Sequence, residues 1–135
     1  MPFEIVDGYE LDTVHYYLPT ESKESSSRVI QVFFIPGNPG TLAFYEQFFM
    51  NLCEMVRELF VERYSVEIHS AGHLNHHLTS GSDSSDRNHR EYENYDLQMQ
   101  ISLSTAFCEK YIKLCDATCD CFTILIGHRC SNLFT

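Results

Sequence analysis

The chain has 135 residues, which allows one domain at most. Apolar residues make up 44% of it and include eight tyrosines and ten phenylalanines, so a core can form and general disorder is excluded. Nine basic residues against nineteen acidic ones give a formal charge of −10, which argues against nucleic-acid binding and against attraction to anionic lipid.

The first residues, Met1 to Glu4, show neither the basic nor the apolar region of a secretory signal. No apolar run reaches the roughly eighteen residues that a transmembrane helix needs. Six cysteines without a signal peptide are typical of reduced thiols in the cytosol. We therefore expect a protein that is not secreted and has no transmembrane helix.

The first third of the chain predicts three strands. Phe3–Val6 and Leu11–Leu18 flank an Asp-Gly turn dipeptide and predict an antiparallel hairpin. The polar segment Glu21–Ser27 predicts a loop. Val29–Ile35 is almost entirely apolar and rich in branched side chains, which is typical of a strand covered on both faces.

Two amphipathic helices are predicted further along. The first runs from about residue 42 to residue 61, and its apolar face is formed by Phe44, Tyr45, Phe48, Phe49, Leu52, Val56, Leu59 and Phe60. The second runs over 95–115, with its apolar face formed by Leu97, Ile101, Ala106, Cys108, Ile112 and Cys115.

The remaining segments complete an alternation of strands and helices. Tyr64–His69 is a strand candidate followed by a loop over 70–77, and the polar segment 79–94 predicts a flexible loop. Cys119–Ile126 is a short apolar run that predicts a buried parallel strand. The pattern predicts the α/β class, with a mostly parallel sheet, an N-terminal antiparallel hairpin and flanking helices.

The segment Gly37-Asn38-Pro39-Gly40 lies between a predicted buried strand and a helix. In hydrolases of the α/β type, the loop at this place supplies a backbone N–H to the oxyanion hole. Here Asn38 N–H is the candidate donor, and Gly37, Pro39 and Gly40 would shape the loop. The alternative is an ordinary turn between strand and helix.

The end of the chain resembles a nucleophile elbow, the Gly-x-Ser-x-Gly turn that follows a strand in such hydrolases. Gly127 and His128 fill its first two places, but Arg129 stands at the serine position. A guanidinium group stays protonated and has no lone pair for attack. The second oxyanion donor would be the N–H of Cys130. The alternative is a divergent tail over 129–135.

Other nucleophile and metal candidates are weaker. Cys130 and Ser131 are displaced along the turn, so their side chains would point away from the oxyanion donors. Five histidines lie close in sequence but match no common zinc spacing, so solvent-exposed loop histidines are the better interpretation: His69, His73, His76, His77 and His89. We expect no cofactor and no metal.

Four motifs in order give the chain a resemblance to the lipid droplet-associated hydrolases, over roughly residues 29–128. The first is Ile-Pro-Gly-Asn-Pro-Gly at 35–40, followed by Phe-Tyr at 44–45. The second is Ala-Gly-His at 71–73. The third comprises Tyr95, Leu97, Gln100, Ile101 and Phe107 in the second helix. The fourth is Ile-Gly-His at 126–128, where the family continues with serine.

The resemblance implies a truncated α/β-hydrolase fold, with 1–135 as the N-terminal portion of one domain. It also implies a carboxylic ester hydrolase acting on sterol or other lipid esters in lipid storage and turnover, at lipid droplets and the endoplasmic reticulum, on the cytosolic side. The family's serine maps to Arg129, and no acid or histidine of a triad follows Thr135. We therefore expect an inactive chain. The alternatives are a non-catalytic protein that binds lipid droplets and an unstable truncation product.

Overall fold

The fold was taken from a computed structural model, which describes residues 2–22, 28–37, 40–74, 97–112 and 120–128. Within these ranges the strands are β1 (Phe3–Val6), β2 (Tyr9–Leu18), β3 (Val29–Ile35), β4 (Ser65–Ala71) and β5 (Cys121–Gly127). The helices are α1 (Glu46–Phe60), preceded by a 3-10 turn over Leu42–Tyr45, and α2 (Leu97–Tyr111). The predicted loop 79–94 and tail 129–135 lie outside the described residues.

The predicted hairpin is confirmed. β1 and β2 pair antiparallel from Val6↔Tyr9 to Phe3↔Asp12. Asp7 and Gly8 both have positive φ, 47° and 84°, which is the left-handed backbone that a two-residue hairpin turn requires. β2 begins two residues before the predicted start because pairing with β1 extends up to the turn.

The five strands form one sheet in the order β1-β2-β4-β3-β5. β3 pairs parallel with both β4 and β5, whereas β2 pairs antiparallel with β1 and with β4. The α/β class is confirmed, but the sheet is mixed rather than mostly parallel. The difference arises because the hairpin joins the sheet through β2 instead of standing apart from it.

Each face of the sheet carries one helix and one core. On one face, α1 packs Phe49, Leu52 and Val56 against the inward side chains of β2, β3 and β4. On the other face, α2 packs Leu103 and Phe107 against β1, β2 and β4. β3 is buried on both sides, as predicted.

Helix faces were predicted less well. Phe44 is 62% exposed and Leu59 is 64% exposed, although both were assigned to the apolar face of the first helix. In the second helix, Leu97, Ile101 and Ile112 are exposed, and Leu103 and Phe107 are buried instead. Of the predicted apolar face of α2, Ala106 and Cys108 pack against the core that α2 covers, whereas Leu97, Ile101 and Ile112 do not. Within the described residues, neither helix is long and apolar enough to cross a membrane.

β5 is parallel to β3, as predicted, but it is not buried. It lies at the edge of the described sheet, and Phe122, Ile124 and Leu125 are 40–68% exposed.

The end of β4 also differs from the prediction. Ser70 and Ala71 continue this strand, whereas a loop was predicted there. Ser70 is held in the strand because its hydroxyl donates to the carbonyl of Phe34 at 2.7 Å.

Candidate active site

The parallel strands β3 and β5 end side by side at one edge of the sheet. Ile35 is paired with Gly127, and the His128 N–H donates to the Ile35 carbonyl at 3.0 Å. Because both strands run in the same direction, the chain leaving β3 and the chain leaving β5 emerge next to each other. Carboxyl ends of parallel strands are where α/β proteins place ligands.

The phenol of Tyr45 connects these two chain segments. The Gly37 N–H donates to the Tyr45 hydroxyl at 3.0 Å, and the same hydroxyl lies 2.9 Å from His128 Nδ1. A phenol that accepts from an amide can donate its own proton to an imidazole nitrogen. Tyr45 thereby fixes the distance between the loop that follows β3 and the residue that follows β5.

Tyr45 is itself held by aromatic contacts. Its ring meets Phe34 edge-on at 4.9 Å and lies 6.5 Å from Phe49. Phe34 and Phe49 are both nearly fully buried in the core under α1. The position of the hydroxyl is therefore set by the core rather than by the surface loop.

A third segment reaches the same edge from the end of β4. The His73 N–H donates to the Gly40 carbonyl at 3.0 Å. The His73 ring fills the space beside Gly40, since a Cβ placed there would lie 2.3 Å from His73 Cγ. No carbon atoms approach so closely, so only glycine allows this contact between loop and histidine.

An apolar cavity of about 460 Å³ lies beside this edge, between α2 and the uncovered parts of β3 and β5. Phe33, Ile35 and Leu125 line it from the sheet, and Ile101 and Ile112 line it from the helix. Its volume is within the usual range for small-molecule sites. The cavity also explains why Ile101 and Ile112 remain exposed on α2.

The model of the lipid-droplet associated hydrolase family matches residues 28–130. This stretch covers most of the chain and runs from β3 through both helices to the residues after β5. The chain belongs to this family. No curated protein and no solved structure matches the chain.

The structure describes only part of the predicted site. Gly37 and Gly40 are described, and both contact neighbours at the edge where β3 and β5 end. Asn38, Pro39, Arg129 and Cys130 lie outside the described residues, so the proposed oxyanion donors and the nucleophile position stay predictions. The sequence analysis assigned Tyr45 to the apolar face of the first helix and gave it no role in the site. The Phe-Tyr motif at 44–45 was a signal for such a role.

The thiols of Cys53 and Cys108 are poor nucleophiles. Neither residue forms a disulfide bond. Burial raises the pKa of Cys108, and burial also raises the pKa of Cys53 despite the opposing charge of Arg57. Both therefore stay protonated at neutral pH, and a protonated thiol does not attack. In the described part of the chain, no group of three or more potential ligands is arranged to hold a metal ion.

Replacing Tyr45 with phenylalanine tests whether the phenol joins the two segments. The Gly37 N–H and His128 Nδ1 would both lose this partner, and we expect a loss of about 1–2 kcal/mol in the free energy of unfolding. Urea denaturation measures this, and hydrogen exchange at the Gly37 amide should accelerate. Tyr17→Phe is the matched control, because Tyr17 is 63% exposed and should change stability by less than about 0.5 kcal/mol.

Proposed function

We propose that this chain is the first portion of an α/β-hydrolase domain that evolved to cleave carboxylic esters of lipids, and that the chain itself does not catalyse this reaction. The observation that carries the proposal is the meeting of Gly37 and His128 through Tyr45, where β3 and β5 end. Membership of the lipid-droplet associated hydrolase family supports it.

The chemistry at position 129 explains the expected lack of activity. In a serine hydrolase, the hydroxyl at this place attacks the ester carbonyl, and two backbone N–H groups stabilise the oxyanion. Asn38 and Cys130 are the residues whose amides would do so here. Arg129 offers a cation that cannot attack, so a correctly formed oxyanion hole alone would bind the ester without forming an acyl-enzyme.

Membership of the family also supports a proposal about the site of action. A member of this family would work on sterol or other lipid esters at the surface of lipid droplets or the endoplasmic reticulum, facing the cytosol, and would serve lipid storage and turnover. These finer statements are part of the proposal.

A second candidate function is non-catalytic binding of lipid. The apolar cavity beside the candidate site and the exposed apolar side chains of β5 favour it. A chain that retains an apolar pocket without a nucleophile could hold a lipid or attach to a droplet. Such a role needs the described sheet to be stably folded.

The test is incubation of the purified chain with a fluorophosphonate probe and a p-nitrophenyl ester. We expect no covalent labelling and no turnover above the rate in buffer. Cys130→Ala and Ser131→Ala are the matched controls, because they remove the neighbouring hydroxyl and thiol. Turnover that either substitution abolishes would show that the chain is catalytic and that Arg129 does not prevent the reaction.

Two further measurements separate the lipid-binding role from an unstable product. Retention on reconstituted lipid droplets without fluorophosphonate labelling would favour the binding role. Slow hydrogen exchange in β3 and β5 is expected if the sheet is folded, because paired backbone amides exchange only on opening. Fast exchange throughout both strands would instead indicate an unstable product.

A further inference from the structure

Two histidines face each other on the side of the sheet that α2 covers. His15 on β2 and His69 on β4 are direct partners in the antiparallel register. Their Nδ1 atoms are 2.7 Å apart. Two unprotonated nitrogens at this distance would bring lone pairs together, so a proton must lie between them.

The outer nitrogens of both rings face carboxylates. His15 Nε2 is 2.7 Å from Glu4 Oε2, and His69 Nε2 is 3.3 Å from Glu67 Oε2. A carboxylate oxygen only accepts, and Glu67 Oε2 already accepts from Gln31 Nε2 at 2.9 Å. The ring nitrogens are therefore the donors, and the four nitrogens carry three protons in total.

We propose that His15 and His69 share a single proton and one positive charge, and that this pair with Glu4 and Glu67 forms a pH-sensitive clamp that fastens α2 to the sheet. These four residues are called the histidine clamp. With three ring protons, the two carboxylates face two positive charges, that of Lys110 and that of the ring pair.

The clamp reaches α2 through the last turn of the helix. The Tyr111 hydroxyl and the Lys110 ammonium both donate to Glu4 Oε1. The Tyr111 ring stacks on the His69 ring, with centroids 5.0 Å apart and planes 18° apart. Gln31 Nε2 also donates to the Tyr111 carbonyl at 2.9 Å. Opening the clamp would therefore release the C-terminal end of α2, which forms one wall of the apolar cavity.

Glu4, Lys110 and Tyr111, which face the pair from β1 and α2, keep their protonation state across pH 5–9. Burial raises the pKa of Glu4, but hydrogen bonds from Tyr111, His15 and Lys110 outweigh it and hold the pKa at about 2. The hydrogen bond to Glu4 raises the pKa of Lys110, and burial together with the same carboxylate raises the pKa of Tyr111. Tyr17, opposite Glu67 in the register, is exposed on the same face.

The sign of the pH dependence follows from the proton count. An unfolded chain holds four ring protons on these two histidines below about pH 6.5 and two above it, whereas the clamp holds three. Stability therefore falls as the pH drops below this value, because the unfolded state binds more protons. Stability also falls as the pH rises above about 6.5, because the folded state then binds more protons than the unfolded state. The contribution of the clamp to stability is therefore largest near this pH.

The first test uses the unmodified full chain and needs no variant. Long-range ¹H–¹⁵N correlation spectra of the imidazoles near pH 6.5 should show both Nε2 atoms protonated and one strongly deshielded proton correlated with both Nδ1 atoms. Two neutral rings with His69 Nε2 unprotonated would overturn the proposal. So would two histidines that titrate independently of each other.

The second test follows the release of the helix. Hydrogen exchange in α2, corrected for the intrinsic pH dependence of exchange, should be slowest near pH 6.5 and several-fold faster at pH 5 and at pH 8.5, with α1 as the internal control. His69→Asn removes the shared proton and should abolish this minimum, whereas His128→Asn, outside the clamp, should preserve it. An α2 exchange rate that changes in one direction only across this range would contradict the clamp.

Discussion

Replacing Phe34 with alanine is expected to lower the free energy of unfolding by about 3–5 kcal/mol. Phe34 is 3% exposed at the C-terminal end of β3, and its ring lies within 5.4 Å of the rings of Tyr45, Phe48 and Phe49. Truncation would lose the transfer free energy of the ring and leave a cavity that the three neighbouring aromatic residues cannot fill. A domain of ordinary stability has only about 5–15 kcal/mol in total, so much of the chain would unfold near body temperature.

Phe44→Ala is the matched control for this prediction. It removes the same side chain ten residues later, but from a position that is 62% exposed in the 3-10 turn before α1. We expect it to change stability by less than about 1 kcal/mol. Chemical denaturation of both variants with the same spectroscopic probe gives the comparison. Equal losses in the two variants would mean that the core under α1 does not carry the stability of the sheet.

Replacing Gly40 with alanine is expected to displace the loop that follows β3. The new Cβ would lie 2.3 Å from His73 Cγ and 2.6 Å from His73 Cβ, and neither atom is at the free end of a side chain. The backbone must therefore move, which typically costs about 1–3 kcal/mol. The expected signs are a lower midpoint of urea unfolding and shifted amide resonances at Gly37 and His73.

The matched control and the rescue both come from the same edge of the sheet. Gly127→Ala adds a methyl group where no atom lies within 4 Å, so it should be nearly neutral. His73→Gly combined with Gly40→Ala removes the obstructing side chain and should recover most of the stability lost by Gly40→Ala alone. A double variant as unstable as the sum of the single ones would show that the glycine is needed for another reason.

Local chemistry made the first part of the fold predictable. A two-residue hairpin turn of this kind needs positive φ at two successive residues, and Asp-Gly is one of the few dipeptides that adopt this backbone at low cost. The strand Val29–Ile35 is apolar at nearly every place, which is typical of a strand covered on both faces. Neither prediction required knowledge of distant contacts, and both are confirmed.

The helix faces were not predictable in the same way. A period of 3.6 residues shows that a helix has an apolar side, but not which part of a wide apolar side meets the sheet. In α2, Leu103 and Phe107 are buried because β1, β2 and β4 lie under them, whereas Ile101 and Ile112 line the cavity beside β3 and β5. That choice depends on strand order, which periodicity does not contain.

The candidate site also has parts that local sequence predicts and parts that depend on contacts between distant segments. Its loop and its altered elbow could be predicted from short motifs, because backbone amides and a nucleophile are needed at fixed places in the chain, and both stay predictions. The linking role of Tyr45 could not, since it joins Gly37 to a residue 83 positions away from the phenol. The histidine clamp is a stronger case, because its four residues lie on three strands and contact a helix that is distant in sequence.

The sequence by itself determined the class of the fold and the family, because both depend on residue types at fixed spacing. The role of position 129 stays a prediction. Only the tertiary structure decided that the sheet is mixed, that β5 is left exposed, and that Tyr45 and the pair His15 and His69 hold separate segments together. The physical reason is that hydrogen bonds and packing between distant segments depend on strand order and register, and one-dimensional patterns do not fix either.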